Sequence, residues 1–165
     1  MATSLTVTLQ ESLVYPNGNK EVITNTTQVT GINQILKRLD TISYYNSGSG
    51  IEILRFVDSE AEQTAGSFVR DEVKYIRITN LDKTNFVEIF LIEEDGFNGE
   101  SVSFKIYPGR SMMFSDADFD ASEAGDYVYE GIWDQDYYSL PSKISVMKAK
   151  ADTANVQIEY LVASA

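Results

Sequence analysis

Val73-Lys74-Tyr75-Ile76-Arg77-Ile78-Thr79, the polar link Asn80-Leu81-Asp82-Lys83-Thr84-Asn85, and then Val87-Glu88-Ile89-Phe90-Leu91 form the stretch that decides the fold class. Ile76 and Ile78 share one face beside Lys74 and Arg77, and Val87, Ile89 and Leu91 share a face opposite Glu88. Successive side chains of an extended strand point to opposite faces, so this alternation predicts two half-buried strands joined by a short connection. A helix would need a period near 3.6, which neither run supplies.

The same period recurs outward in both directions. Leu5, Val7 and Leu9 alternate with Thr6 and Thr8; Val102, Phe104 and Ile106 with Ser101, Ser103 and Lys105; Val156, Ile158, Tyr160 and Val162 with Gln157, Glu159 and Leu161. Ile144 and Val146 do so beside Lys143 and Ser145. Val, Ile, Thr, Tyr, Phe and Trp make up about a third of the chain, the enrichment expected of strands. Tyr15-Pro16-Asn17-Gly18-Asn19 offers a fixed φ and then a residue tolerant of positive φ, predicting a hairpin of Leu5–Val14 with Lys20–Thr30. Glu94-Asp95-Gly96 through Gly99 and Pro108-Gly109 mark further turns. Asn46-Ser47-Gly48-Ser49-Gly50 reads as a loop within one domain, because too little chain precedes it for a separate core.

One segment is ambiguous. Ile32, Ile35, Leu36, Leu39 and Ile42 fall at helical spacing, so Ile32–Arg38 reads either as a short helix or as a strand beginning near Ile35. The surrounding β pattern favours the strand. Ser122-Glu123-Ala124-Gly125 is at most one helical turn. The total is roughly ten short strands at about 8–12-residue spacing, which predicts an all-β antiparallel two-sheet sandwich, jelly-roll-like, as one domain over residues 1–165.

The 165 residues include no Cys and no His. That removes disulfide frameworks, Cys- or His-based metal sites, Ser-His-Asp triads and Cys nucleophiles. The net charge is −12, which disfavours nucleic acid and anionic membranes as partners. Ten of those net charges fall between Glu93 and Asp136, where twelve acids face only Lys105 and Arg110. The window reads as solvated loops rather than a binding face. The N-terminal residues lack a basic and an apolar signal region, and no apolar run reaches membrane-spanning length. The chain is therefore expected to stay soluble where it is made. Asn25-Thr26-Thr27 matches a glycosylation sequon, which has meaning only in a secretory route.

Two constellations could carry chemistry. Asp116, Asp118 and Asp120, with Glu123 and Asp126, alternate carboxylates as a calcium loop does, but Ala121 stands where such a loop needs glycine and Tyr127 where it needs a bidentate Glu. The expectation is a solvated acidic loop, no resident metal and no cofactor. Paired carboxylates among so many acids arise by chance, and none is singled out as desolvated, so no catalytic residue is assigned. Tyr44, Tyr45, Trp133, Tyr137 and Tyr138 are the interface candidates. Adjacent tyrosines on a strand force one ring outward, where it suits a subunit contact better than a sugar.

Val73 through Val87, the opening Leu5-Thr6-Val7-Thr8-Leu9-Gln10-Glu11 and the closing stretch from Ile144 through Lys148-Ala149-Lys150-Ala151-Asp152-Thr153-Ala154 to Tyr160 carry a resemblance. Together they resemble small β-sandwich virion proteins of tailed bacteriophages, of the marine and cyanobacterial phage type. Their motifs encode strands and turns rather than chemistry, and residues 93–136 match less well. The resemblance implies a non-enzymatic virion structural protein, foremost a capsid decoration protein, made in the host cytoplasm and carried in the virion. Its partners would be the major capsid protein or tail proteins and further copies of itself, as a homo-oligomer, foremost a trimer. A tail, baseplate or fibre-associated protein is the alternative within that class, and a carbohydrate-binding module the alternative outside it.

Overall fold

A computed structural model of the chain describes residues 3–44, 50–92, 101–115 and 144–165. Among the described residues there are eleven strands: β1 (Thr3–Val14), β2 (Lys20–Ile32), β3 (Gln34–Ile42), β4 (Ile51–Val57), β5 (Ser67–Val69), β6 (Val73–Asn80), β7 (Val87–Ile92), β8 (Ser101–Ile106), β9 (Ser111–Ser115), β10 (Val146–Ala151) and β11 (Val156–Ser164). The helical structure among these residues is two three-residue 3-10 turns, Glu60–Glu62 and Arg70–Glu72.

Eight of the strands pair in nested order. The outermost, β3, runs antiparallel to β11; β4 to β10; β6 to β9; and β7 to β8. This is one long ribbon folded back on itself and rolled, and the roll closes when β11 also pairs with β6 and β10 with β7. The products are a four-stranded sheet, β3-β11-β6-β9, and a five-stranded sheet, β5-β4-β10-β7-β8. These are the two layers of a jelly roll, as the alternation predicts.

One pair departs from the antiparallel expectation. β5 lies parallel to β4, Arg55 opposite Ser67 and Val57 opposite Val69. The register offset of twelve residues is close to the shortest crossover that can bring a strand back beside its predecessor in the same direction. Ser67 locks the return: its hydroxyl accepts from Thr64 N at 2.8 Å and donates to Thr64 O at 2.9 Å.

The core fills the space between the inner faces. Val156, Ile158, Tyr160 and Val162 of β11 and Ile76 and Ile78 of β6 meet Val87, Ile89 and Leu91 of β7, Met147, Ala149 and Ala151 of β10, and Leu54, Phe56 and Phe68. Each fully buried aliphatic side chain contributes about 1.5–3 kcal/mol relative to exposure. Two polar groups tie the edges of this core. Buried Asn80 donates from Nδ2 to Asn85 O and Ile106 O, both at 2.9 Å, while its Oδ1 accepts from Asp82 N at 2.9 Å. Arg70 donates from Nε to Ile144 O at 3.0 Å and pairs with Asp58, joining the β5 corner to the entry of β10.

Residues 34–42 are a strand, and the helical spacing around them has a different cause. Leu36 and Ile42 face the core, while Ile35 and Leu39 point out of the same strand into solvent. Ile32 belongs to β2, beyond a break in the pattern at Asn33.

Candidate assembly surface

The β1–β2 hairpin is longer than any pair in the sandwich, with an unbroken register from Leu5 opposite Val29 to Val14 opposite Lys20. At about 3.3 Å per residue it extends roughly 40 Å. The tip closes as its sequence dictates: Gly18 adopts φ +85°, its N–H donates to Tyr15 O, and Asn17 Oδ1 accepts from Asn19 N. Tyr15 Oη donates to Glu21 Oε2 at 2.7 Å, closing the tip a second time.

The root is attached by a bulge. Between the Leu5–Val29 and Thr3–Ile32 pairs, two residues of β2 oppose one of β1, and Gly31 takes φ +72° there. The extra residue puts Val29 and Ile32, three apart in sequence, on one face. With Leu5 and Val7 they pack on Tyr75, Leu161 and Ala163, which lie on the outer face of the four-stranded sheet. This is why Tyr75 is buried although it points away from the main core.

Directly opposed residues of a ribbon share a face. The face that is covered at Leu5, Val7 and Val29 therefore continues through Leu9 with Asn25, Glu11 with Ile23, and Leu13 with Glu21. There it is bare: Leu9, Leu13 and Ile23 are 44%, 52% and 45% exposed. The opposite face is polar from Thr6 and Thr8 through Gln10 and Ser12, becoming apolar only at Val14 and Val22 near the tip. The hairpin is an arm half seated on its own sandwich and half projecting, with bare apolar side chains spaced among polar ones along the projecting half.

The outer faces of the two sheets differ. On the four-stranded sheet, Leu39 is 56% and Met113 44% exposed. Between them Glu159 accepts from both Lys37 Nζ at 3.0 Å and Arg77 at 2.8 Å. Lys37 first, then Arg77, holds the Glu159 carboxyl below its ordinary range. Arg77 Nε is buried and has no hydrogen-bond partner among the described residues. The outer face of the five-stranded sheet mixes charges with half-buried Phe90 and Ile92: Arg55 pairs with Glu52, Glu88 accepts from Ser103 Oγ at 2.9 Å, and Lys105 lies 4.6 Å from the Phe86 ring centre. Lys148 and Lys150 share that face.

The sequence-derived candidates fall mainly elsewhere. Asp116, Asp118, Asp120, Tyr45, Trp133, Tyr137 and Tyr138 lie outside the described residues, as does most of the acidic window. Tyr44 is described and 43% exposed. It follows β3 rather than lying on a strand, and its backbone N–H donates to Asn155 Oδ1 at 3.0 Å. Among the described residues no group of three or more carboxylates converges as a metal site, and no helix is long and apolar enough to cross a membrane. The alternation predicted the hairpin but not its projection; the signal was Leu13, Val22 and Ile23, apolar residues at the far end of a ribbon too long for the sandwich to cover. Compared with known proteins, the chain matches no family model, no curated protein and no solved structure.

Proposed function

We propose that this chain is a non-enzymatic structural protein of a tailed-phage particle, foremost a decoration protein of the capsid, working as a homo-oligomer with the β1–β2 arm as its assembly element. The observation that carries this reading is the arm itself. A two-stranded ribbon is marginal alone in water, and one with bare Leu9, Leu13 and Ile23 gains stability only by covering them against something. A jelly roll with its sheets packed on each other leaves such an arm free to reach a neighbour. The resemblance of residues 5–11, 73–87 and 144–160 to small phage virion proteins supplies the kind of assembly, and a trimer is the symmetry proposed.

The test is quantitative mass spectrometry of gradient-purified particles from cells producing the phage that encodes this chain. The reading expects the chain in multiple copies per particle, and expects Leu13→Lys with Ile23→Lys to lower its incorporation. Absence from the particles overturns it.

A further inference from the structure

We propose that the bare half of the arm face seats on the outer face of the four-stranded sheet of a second copy of the chain. Leu9, Leu13 and Ile23 would lie over Leu39 and Met113, with Glu11 and Glu21 directed toward Lys37 and Arg77. The inference rests on the assembly reading above and adds to it the occupant and the receiving surface.

Three observations lead to this occupant. The first is the contact the arm already makes. Its root lays Leu5, Val7 and Val29 on Tyr75, Leu161 and Ala163 of this same sheet face, so that face is built to receive this kind of ribbon. The arm leaves before it covers Leu39 and Met113, and both its own continuation and that part of the sheet stay bare.

The second is charge. The bare arm face carries two carboxylates, Glu11 and Glu21, both exposed. The receiving face carries two cations that share one carboxylate, leaving it net positive. The Arg77 side chain as a whole is one-third exposed and that of Lys37 more than half, so both cations can meet a carboxylate from outside. A chain of net charge −12 repels its copies unless acids of one meet cations of the other, and this arrangement achieves that.

The third is area. The projecting part of the ribbon is about 20 Å long and 10 Å wide, so one arm-on-sheet contact buries on the order of 500 Å² in total, short of the roughly 1,000 Å² of a stand-alone interface. Each copy would give one arm and receive another, a heterologous contact that closes into a ring where the rotation between copies permits. A closed ring engages every arm and every sheet at once and multiplies the buried surface accordingly.

The absence of native cysteine makes cross-linking clean. Two differently tagged full-length variants, Leu13→Cys and Leu39→Cys, are mixed and treated with a short bismaleimide; Leu13→Cys with Ser103→Cys, on the five-stranded face, is the control. The expected result is a mixed dimer in several-fold excess over the control pair, reduced by high salt. Leu13→Cys joined mainly to itself would mean that arms meet arms, and would overturn the proposal. So would a Leu13→Cys thiol that resists alkylation in a monomeric chain, since an element of the same chain would then cover it. Failure to cross-link in a chain found in purified particles overturns the second-copy occupant and leaves the particle reading standing. Absence from particles with a positive cross-link removes the particle reading and keeps the arm contact.

Discussion

Val7 and Leu13 point the same way from one strand, six residues apart, yet Val7 is packed on the sandwich and Leu13 is half bare. Period two guarantees their common direction. The length of the ribbon beyond the sheet that receives its root separates their fates. That difference is why the arm is the proposed assembly surface, and it makes predictions that separate folding from association.

Substitutions on the two halves of the arm face act differently. Tyr75→Ala, under the root, removes a buried aromatic and is expected to cost about 3–5 kcal/mol. Leu13→Lys and Ile23→Lys touch exposed positions, so each is expected to leave the stability of the dissociated chain within about 0.5 kcal/mol. Urea melts of the variants at low protein concentration check both.

Asn80 is expected to be among the costliest polar positions. Asn80→Ala leaves Ile106 O, Asn85 O and Asp82 N without their side-chain partner. Stranding buried groups costs about 1–3 kcal/mol each, so a total loss of about 3 kcal/mol is expected, with Asn80→Asp no better because it cannot donate. Denaturant unfolding at neutral pH measures it.

Tyr160 sets the alkaline limit. Burial first, and then the hydrogen bond from its hydroxyl to Asp40 Oδ2 at 2.8 Å, raise the phenol well above its ordinary value of 10.0. The folded chain therefore holds this proton more tightly than the unfolded chain. The resulting stability is fully present below about pH 10 and is lost as pH rises beyond it. Wild type is expected to lose stability steeply there, and Tyr160→Phe to show a flatter limb from a lower starting point. Unfolding curves across about pH 8 to 11 give the slopes.

Glu159 acts at the other end. Its carboxyl is lowered by Lys37 and then Arg77, so its contribution is present above the ordinary value of 4.5 and fades as pH falls through the folded value. Glu159→Gln is expected to flatten the acid limb of stability, and the effect to shrink in high salt because the pair is partly exposed. Melting temperatures at stepped pH and two salt concentrations check it.

Gly50 carries a backbone requirement. It adopts φ +77°, and a Cβ there would stand 2.9 Å from Ala149 O. Gly50→Ala is expected to cost at least about 1 kcal/mol from the backbone alone, more if β10 must shift. Differential scanning calorimetry reads the loss.

Much of this fold was legible in the sequence. Val87-Ile89-Leu91 and Val156-Ile158-Tyr160-Val162 alternate because each strand has one face in the core, and Asn17-Gly18 marked its turn by the conformation only such residues accept. The sandwich class followed from those local rules. The parallel docking of Ser67–Val69 did not, because three residues carry too little pattern and the register is set by the length of the return. Ile32, Ile35 and Leu39 fall at helix-like spacing because they serve two surfaces: Ile32 the arm root and Ile35 and Leu39 the outside of the sheet, at offsets set by a bulge and a change of strand. The exposure of Leu9, Leu13 and Ile23 was hidden for a simpler reason. Alternation tells which side chains share a face, and only the folded chain tells whether anything covers that face.

Sedimentation equilibrium of the full-length chain beside Leu13→Lys with Ile23→Lys, over micromolar concentrations at low and high salt, tests the central claim most directly. If the arm is the surface through which copies associate, as proposed, wild type sediments as a closed oligomer, foremost a trimer, and the variant as a monomer with an unchanged melting temperature. A wild-type chain that stays monomeric throughout, or a variant that associates as wild type does, would contradict the account.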